Sequence, residues 1–111
     1  GSDPAAEGVI DVEVLGDETP ELIALYVQDA GDLIEAIRQA IQDGDAQALE
    51  RAAHTLKSNS ATFGAMALAD LCLRLEQMGE AGTFEGAEDL LAQVERLYGR
   101  VRAALDDWPV V

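Results

Sequence analysis

The chain has 111 residues, a length that supports one domain around one hydrophobic core. Its 22 acidic and 7 basic residues leave a formal charge of −15, which argues against the clustered Lys and Arg needed to grip nucleic-acid phosphates or an anionic membrane. A hydrophobic fraction of 49% rules out broad disorder, no apolar run approaches the roughly 20 residues that span a bilayer, and no stretch reads as a secretory signal.

Residues 1–8 are expected to lie outside the fold: Gly1 and Ser2 read as the remnant of a cleaved expression tag, and the acidic stretch to Gly8 as the end of a linker. The domain proper is then 9–111. Val9 to Leu15 is a short apolar patch interrupted by Asp11 and Glu13, and its period alone fits either a strand or a helical turn. Gly16 and Asp17 end it. Thr19 before Pro20 supplies an N-cap with proline at the first helical position, and Glu21 complements the helix dipole. The helix they open runs to about Gln42, with Ile23, Tyr26, Ala30, Leu33, Ile37 and Ile41 facing inward. Leu22, Leu25 and Asp29 fall on its exposed flank.

Asp43-Gly44-Asp45 combines a glycine stop with an acidic N-cap, so the second helix follows after a tight turn and runs antiparallel to the first. Leu49, Ala52, Ala53, Leu56, Ser60 and Phe63 form its inward stripe. A third helix begins after Gly64, with Leu68, Leu71, Cys72, Leu75 and Met78 inward and Met66 and Leu73 outward, and Gly79 to Gly82 reads as its terminus. In the last helix Phe84, Ala87, Leu91, Val94, Val101, Leu105 and Trp108 keep the inward spacing, with Leu97 and Tyr98 between them, until Pro109 stops it. Four amphipathic helices joined by short turns bury their stripes together as an all-α, antiparallel up-down-up-down four-helix bundle. Cys72 is the single cysteine and lies in an apolar stripe, as a small core residue in a reducing compartment.

His54 is the single histidine. At about 100° per residue it lies roughly 150° from the centre of the second helix's apolar stripe, so its ring projects to solvent, with Lys57 one turn later on the same side. Ser58 and Ala61 flank it with little side chain, and Gly64 stands where the helix ends. Open, flat ground of this kind suits docking by another protein.

The run AHTLKSNSATFGA, followed by LADLCLRLE, resembles the histidine phosphotransfer domains of multistep two-component phosphorelays, whose typical run reads AHxLKGxSxxxGA and then LAxLCxxLE. The resemblance extends from about Val9 to Leu105. It implies that His54 is the phosphoacceptor, that Lys57 is the cation near the phosphoryl group and that Gly64 closes the motif. It also implies that Val9 to Leu15 is a short additional N-terminal helix packed near the active histidine. Leu22, Leu25 and Asp29, together with Ser58, Ala61 and Gly64, then form the surface on which a receiver domain docks. Ser58 departs from the pattern, standing where the family most often has glycine.

A neutral imidazole is a competent nucleophile near pH 7 and forms a phosphoramidate labile enough to pass on. Glu50, one turn before His54, is placed either to accept a hydrogen bond from one ring nitrogen and leave the other free, or to pair with a nearby basic residue or face water. The chain has no glycine-rich phosphate loop and no acidic triad for magnesium, so the expectation is a carrier with no cofactor of its own, neither a stand-alone enzyme nor a metal protein. The acyl phosphate and the magnesium then belong to the partner receiver. The module is expected to be monomeric in isolation and cytoplasmic, either free or as the cytoplasmic part of a membrane-bound hybrid sensor kinase. Two alternatives stay open: the phosphoacceptor domain of a chemotaxis-type kinase, fed by an ATP-binding domain, and a non-catalytic helical adaptor in which His54 is incidental.

Overall fold

Local signals set the helix ends. The computed structural model describes residues 9–11 and 19–106, and within them four helices follow one another: α1 (Pro20–Asp43), α2 (Ala46–Thr62), α3 (Met66–Ala81) and α4 (Ala87–Asp106). The Thr19 hydroxyl accepts from the Leu22 amide at 3.2 Å at the start of α1, and the Asp45 carboxylate accepts from the Ala48 amide at 3.0 Å at the start of α2. Gly44 closes α1 in the left-handed region, its N–H reaching the Ala40 and Ile41 carbonyls. Among the described residues there is no strand.

Each helix packs on its neighbour in sequence and α4 returns to α1, which is the expected antiparallel bundle. The α2–α3 pair is the most extensively packed. The six residues expected inward on α2 are all buried, as are Leu68, Cys72 and Leu75 of α3 and Ala87, Leu91, Val94, Val101 and Leu105 of α4. On α1 the buried set is Ile23, Tyr26, Ala30, Ile34, Ile37 and Ala40. Leu33 and Ile41, expected in the core, are only half-buried at its margin, as are Leu71, Met78 and Phe84. Because α1 touches both α2 and α4, the covered arc is wider than one stripe and centred slightly differently.

Polar side chains tie the layers where apolar contact alone would let them slide. The Tyr26 ring stacks on Phe63 with centroids 4.7 Å apart, and its hydroxyl lies 2.8 Å from Ser60 Oγ. This joins the start of α1 to the end of α2. Burial pushes the Tyr26 phenol up to about 12, so it stays protonated and hydrogen-bonded. From α4, the Tyr98 hydroxyl donates to the Val27 carbonyl at 2.7 Å. Arg38 of α1 pairs with Glu35 and with Glu95 of α4.

Val9 and Ile10 are buried in the core, and the Asp11 amide donates to the Gly64 carbonyl at 2.9 Å. Residues 9–11 are turn and irregular backbone; the remainder of the short helix expected over Val9 to Leu15 lies outside the described residues, as do the linker residues 1–8, Trp108 and Pro109.

Candidate functional site

The placement of the site begins with a glycine. A Cβ on Gly79 would lie 2.6 Å from the Glu50 amide nitrogen and 2.8 Å from both the Ala46 carbonyl oxygen and the Glu50 Cα. Only glycine lets α3 approach the backbone of α2 this closely. Gly79 stands in the last turn of α3, where Gly79 to Gly82 form the expected terminus with Gly82 as the C-cap, and it is also the point of helix–helix contact. Because the helices are antiparallel, one turn forward on α2 from Glu50 meets one turn back on α3 from Gly79. Those positions are His54 and Glu76.

The His54 side chain is 58% exposed, and its Nδ1 lies 2.7 Å from Glu76 Oε2. Lys57 Nζ donates to the other carboxylate oxygen of Glu76, Oε1, at 2.5 Å. Glu76 is itself buried, at 7% exposure. A buried carboxylate is tolerated only when paired, and here both oxygens are engaged. The Lys57 ammonium, foremost, and the His54 ring hold the Glu76 carboxyl below its ordinary range against the opposing effect of burial.

A carboxylate accepts hydrogen bonds and cannot donate them, so the ring proton belongs on Nδ1. Nε2 then keeps its lone pair and has no partner among the described residues. The ring borders a shallow, open depression whose other walls are Gln47, Glu50, Arg51 and Glu76. Its chemistry is that of an oriented, solvent-facing nitrogen nucleophile backed by a fixed negative charge.

Two sequence-based expectations need correction. The hydrogen bond assigned to Glu50 is made by Glu76; Glu50 lines the depression but its backbone lies against Gly79, one turn below the ring. Gly64 does not belong to an open docking surface: it is buried, and its Cα faces the backbone of Asp11, where a Cβ would lie 2.7 Å from the Asp11 carbonyl oxygen. Its φ of +76° adds a second reason for glycine. Of the other positions, Asp29 and Ser58 are exposed, Leu22 and Leu25 are 47% and 53% exposed, and Ala61 is half-buried.

Glu76 has a signal in the sequence. It closes the run LADLCLRLE and falls on the inward face with Cys72, Leu75 and Gly79, where a lone carboxylate demands a partner from another helix. Cys72 is fully buried and its thiol is pushed up to about 12 by burial, which makes it an inert core residue. Among the described residues no three His, Cys, Asp or Glu side chains cluster to hold a metal ion, and no helix is long and apolar enough to cross a membrane.

Comparison with known proteins points the same way. Phosphorelay protein LuxU of Vibrio vulnificus (strain YJ016) is 24% identical over 94 residues, covering 84% of this chain and 82% of that protein. Histidine-containing phosphotransfer protein 2 of Arabidopsis thaliana is 28% identical over 94 residues, covering 82% of this chain and 60% of the plant protein. The crystal structure of histidine-containing phosphotransfer protein B (HptB) from Pseudomonas aeruginosa PAO1 superposes with a TM-score of 0.86 at 34% identity, over 96% of this chain and 95% of that one. The Hpt domain profile matches residues 21–104, which include all of α2 and α3, the exposed histidine and the glutamate behind it, and the chain belongs to the Hpt domain family.

Proposed function

We propose that this domain is a phosphorelay carrier whose His54 Nε2 accepts a phosphoryl group from the aspartyl phosphate of one receiver domain and delivers it to the aspartate of another. The observation that carries the reading is a solvent-facing imidazole whose Nδ1 is tied to a buried, lysine-paired carboxylate.

The Nε2 lone pair attacks phosphorus, the P–O bond to the aspartyl carboxylate breaks, and the P–N bond forms. No proton has to move. The carboxylate leaves with its electron pair, and the phosphorylated ring keeps its Nδ1 proton as an imidazolium. Glu76 stabilises that positive charge across its short hydrogen bond, as an orienting carboxylate does for the histidine of a hydrolase triad. In the second transfer the same contact matters again. With Nδ1 still protonated, the nitrogen leaves phosphorus as a neutral imidazole, a far better leaving group than an imidazolate. The arrangement therefore favours loading and unloading alike.

Lys57 acts in this scheme chiefly by holding the Glu76 carboxylate ionised and in place, and its remaining N–H groups are available to phosphoryl oxygens. Magnesium and the acyl phosphate are supplied by the receiver. Leu22, Leu25, Asp29, Ser58 and Ala61 make up the docking ground around the ring, the domain works as a monomer, and its setting is cytoplasmic, free or as part of a larger sensor kinase. The absence of a negative charge behind the ring would leave the tautomer unset; its presence supports a working nucleophile over an incidental surface histidine.

The test is phosphotransfer profiling of the domain and its His54→Gln variant against receiver domains. Acid-labile, base-stable phosphate is expected on the wild type alone, with near-equal thermal stability because the side chain is largely exposed. Phosphate on the variant would refute His54 as the carrier, and a wild type that takes phosphate from no receiver would refute the carrier function.

A further inference from the structure

The two cations nearest His54 in sequence, Arg51 and Lys57, stand three residues before and after it, on opposite flanks of the helix. The Lys57 ammonium is bound to Glu76 on the Nδ1 side of the ring, and only 28% of its side chain is exposed. The Arg51 side chain is exposed, forms no ion pair among the described residues, and lines the depression beside the ring. Among the residues lining it, Arg51 alone is cationic, and Gln47 contributes a neutral amide two turns before His54.

Charge makes this placement consequential. A phosphoryl group on Nε2 brings nearly two negative charges to a surface already bordered by Glu50 and Glu76, in a chain of net charge −15. Lys57 already shares its charge with Glu76. A guanidinium carries five N–H donors in a planar fork that matches two phosphoryl oxygens at once.

From this, and resting on the carrier role of His54, we propose that Arg51 is a second phosphoryl-binding residue. Its guanidinium donates to the equatorial oxygens as the group passes between aspartate and Nε2 and while it resides on the ring, with the Gln47 amide as a neutral neighbour. Lys57 then serves the Nδ1 side of the site and Arg51 the open side. The group reaching Nε2 is held between them.

The test compares wild type, Arg51→Gln and Arg51→Lys in single-turnover transfer from the phosphorylated receiver that profiling identifies as the fastest donor, at saturating receiver. NMR of the Arg51 guanidinium N–H signals is recorded before and after phosphorylation. Arg51→Gln is expected to slow transfer about tenfold, the loss of one charge-assisted hydrogen bond, with receiver affinity little changed. Arg51→Lys should fall between, keeping charge without the fork, and in the wild type the guanidinium N–H exchange with water should slow on phosphorylation. A wild-type rate for Arg51→Gln at saturating receiver would overturn the proposal, because a residue used only for docking loses affinity and not the saturated rate. Guanidinium exchange unaffected by phosphorylation would overturn it equally. A wild type that accepts no phosphate at all would instead overturn the carrier reading beneath it.

Discussion

Gly79→Ala tests whether the close approach of α2 and α3 holds the site together. The added Cβ would meet three backbone atoms of α2 at 2.6–2.8 Å, and backbone cannot rotate aside as the tip of a side chain can. Restoring ordinary contact at about 3.5 Å requires the helices to part locally by about 0.8 Å. One turn away, the 2.7 Å bond between His54 and Glu76 would stretch to about 3.5 Å, where it ceases to orient the ring. Overpacking of this kind costs about 1–3 kcal/mol, and the better helix propensity of alanine offsets at most about 1 kcal/mol. For a domain of this size a net loss of 1–2 kcal/mol lowers Tm by roughly 4–16 °C. Gly99→Ala is the matched control: Gly99 lies exposed within α4 with nothing within 4 Å of its Cβ position, so alanine there should stabilise by up to about 1 kcal/mol. Thermal melts of both variants, with single-turnover transfer by each, check the pair. Opposite Tm shifts and slower transfer by Gly79→Ala alone are expected; a Gly79→Ala protein as stable as Gly99→Ala would refute the close-approach reasoning.

Glu76→Gln should flatten the acid limb of stability: the folded carboxyl sits below its ordinary 4.5, so its contribution is fully present above about pH 4.5 and is lost as pH falls through the folded value. Urea melts from about pH 3 to pH 7 measure this, and identical pH slopes in wild type and variant would show that the pairing with Lys57 and His54 contributes nothing. Gly64→Ala combines a positive φ with a clash against Asp11 and should cost about 1–3 kcal/mol while releasing residues 9–11. Hydrogen exchange at the Asp11 amide should then rise; unchanged protection there would contradict the assignment. Ser58→Leu should block transfer while shifting stability by less than about 0.5 kcal/mol, whereas Ser58→Gly should speed transfer, or widen the range of receivers accepted, at a cost of up to about 1 kcal/mol. Undiminished transfer by the leucine variant would mean that receivers approach from another side.

What the sequence alone determined here is what neighbours on one helix determine. Thr19 and Asp45 cap the helices they precede, Gly44 stops α1, and the spacing of Leu49, Ala53, Leu56 and Ser60 places that stripe inward and His54 outward, because caps and stripes depend on residues a few positions apart. The partner of the ring was not legible in this way. A wheel drawn for α2 offers only candidates on α2, and so points to Glu50, whereas Glu76 stands 22 residues away on a helix whose register is set by packing. The same holds for the two glycines: Gly79 lies in the last turn of α3, as its sequence position indicates, but its contact with the backbone of α2 was not legible there, and Gly64 reads as open docking ground and proves to be covered by Asp11. Along α1, the edge of the core moved from Leu33 and Ile41 to Ile34 and Ala40 because two neighbouring helices decide what is covered. Periodicity shows which face turns inward; what that face meets depends on contacts between residues far apart in the chain, and these exist only once the helices have packed.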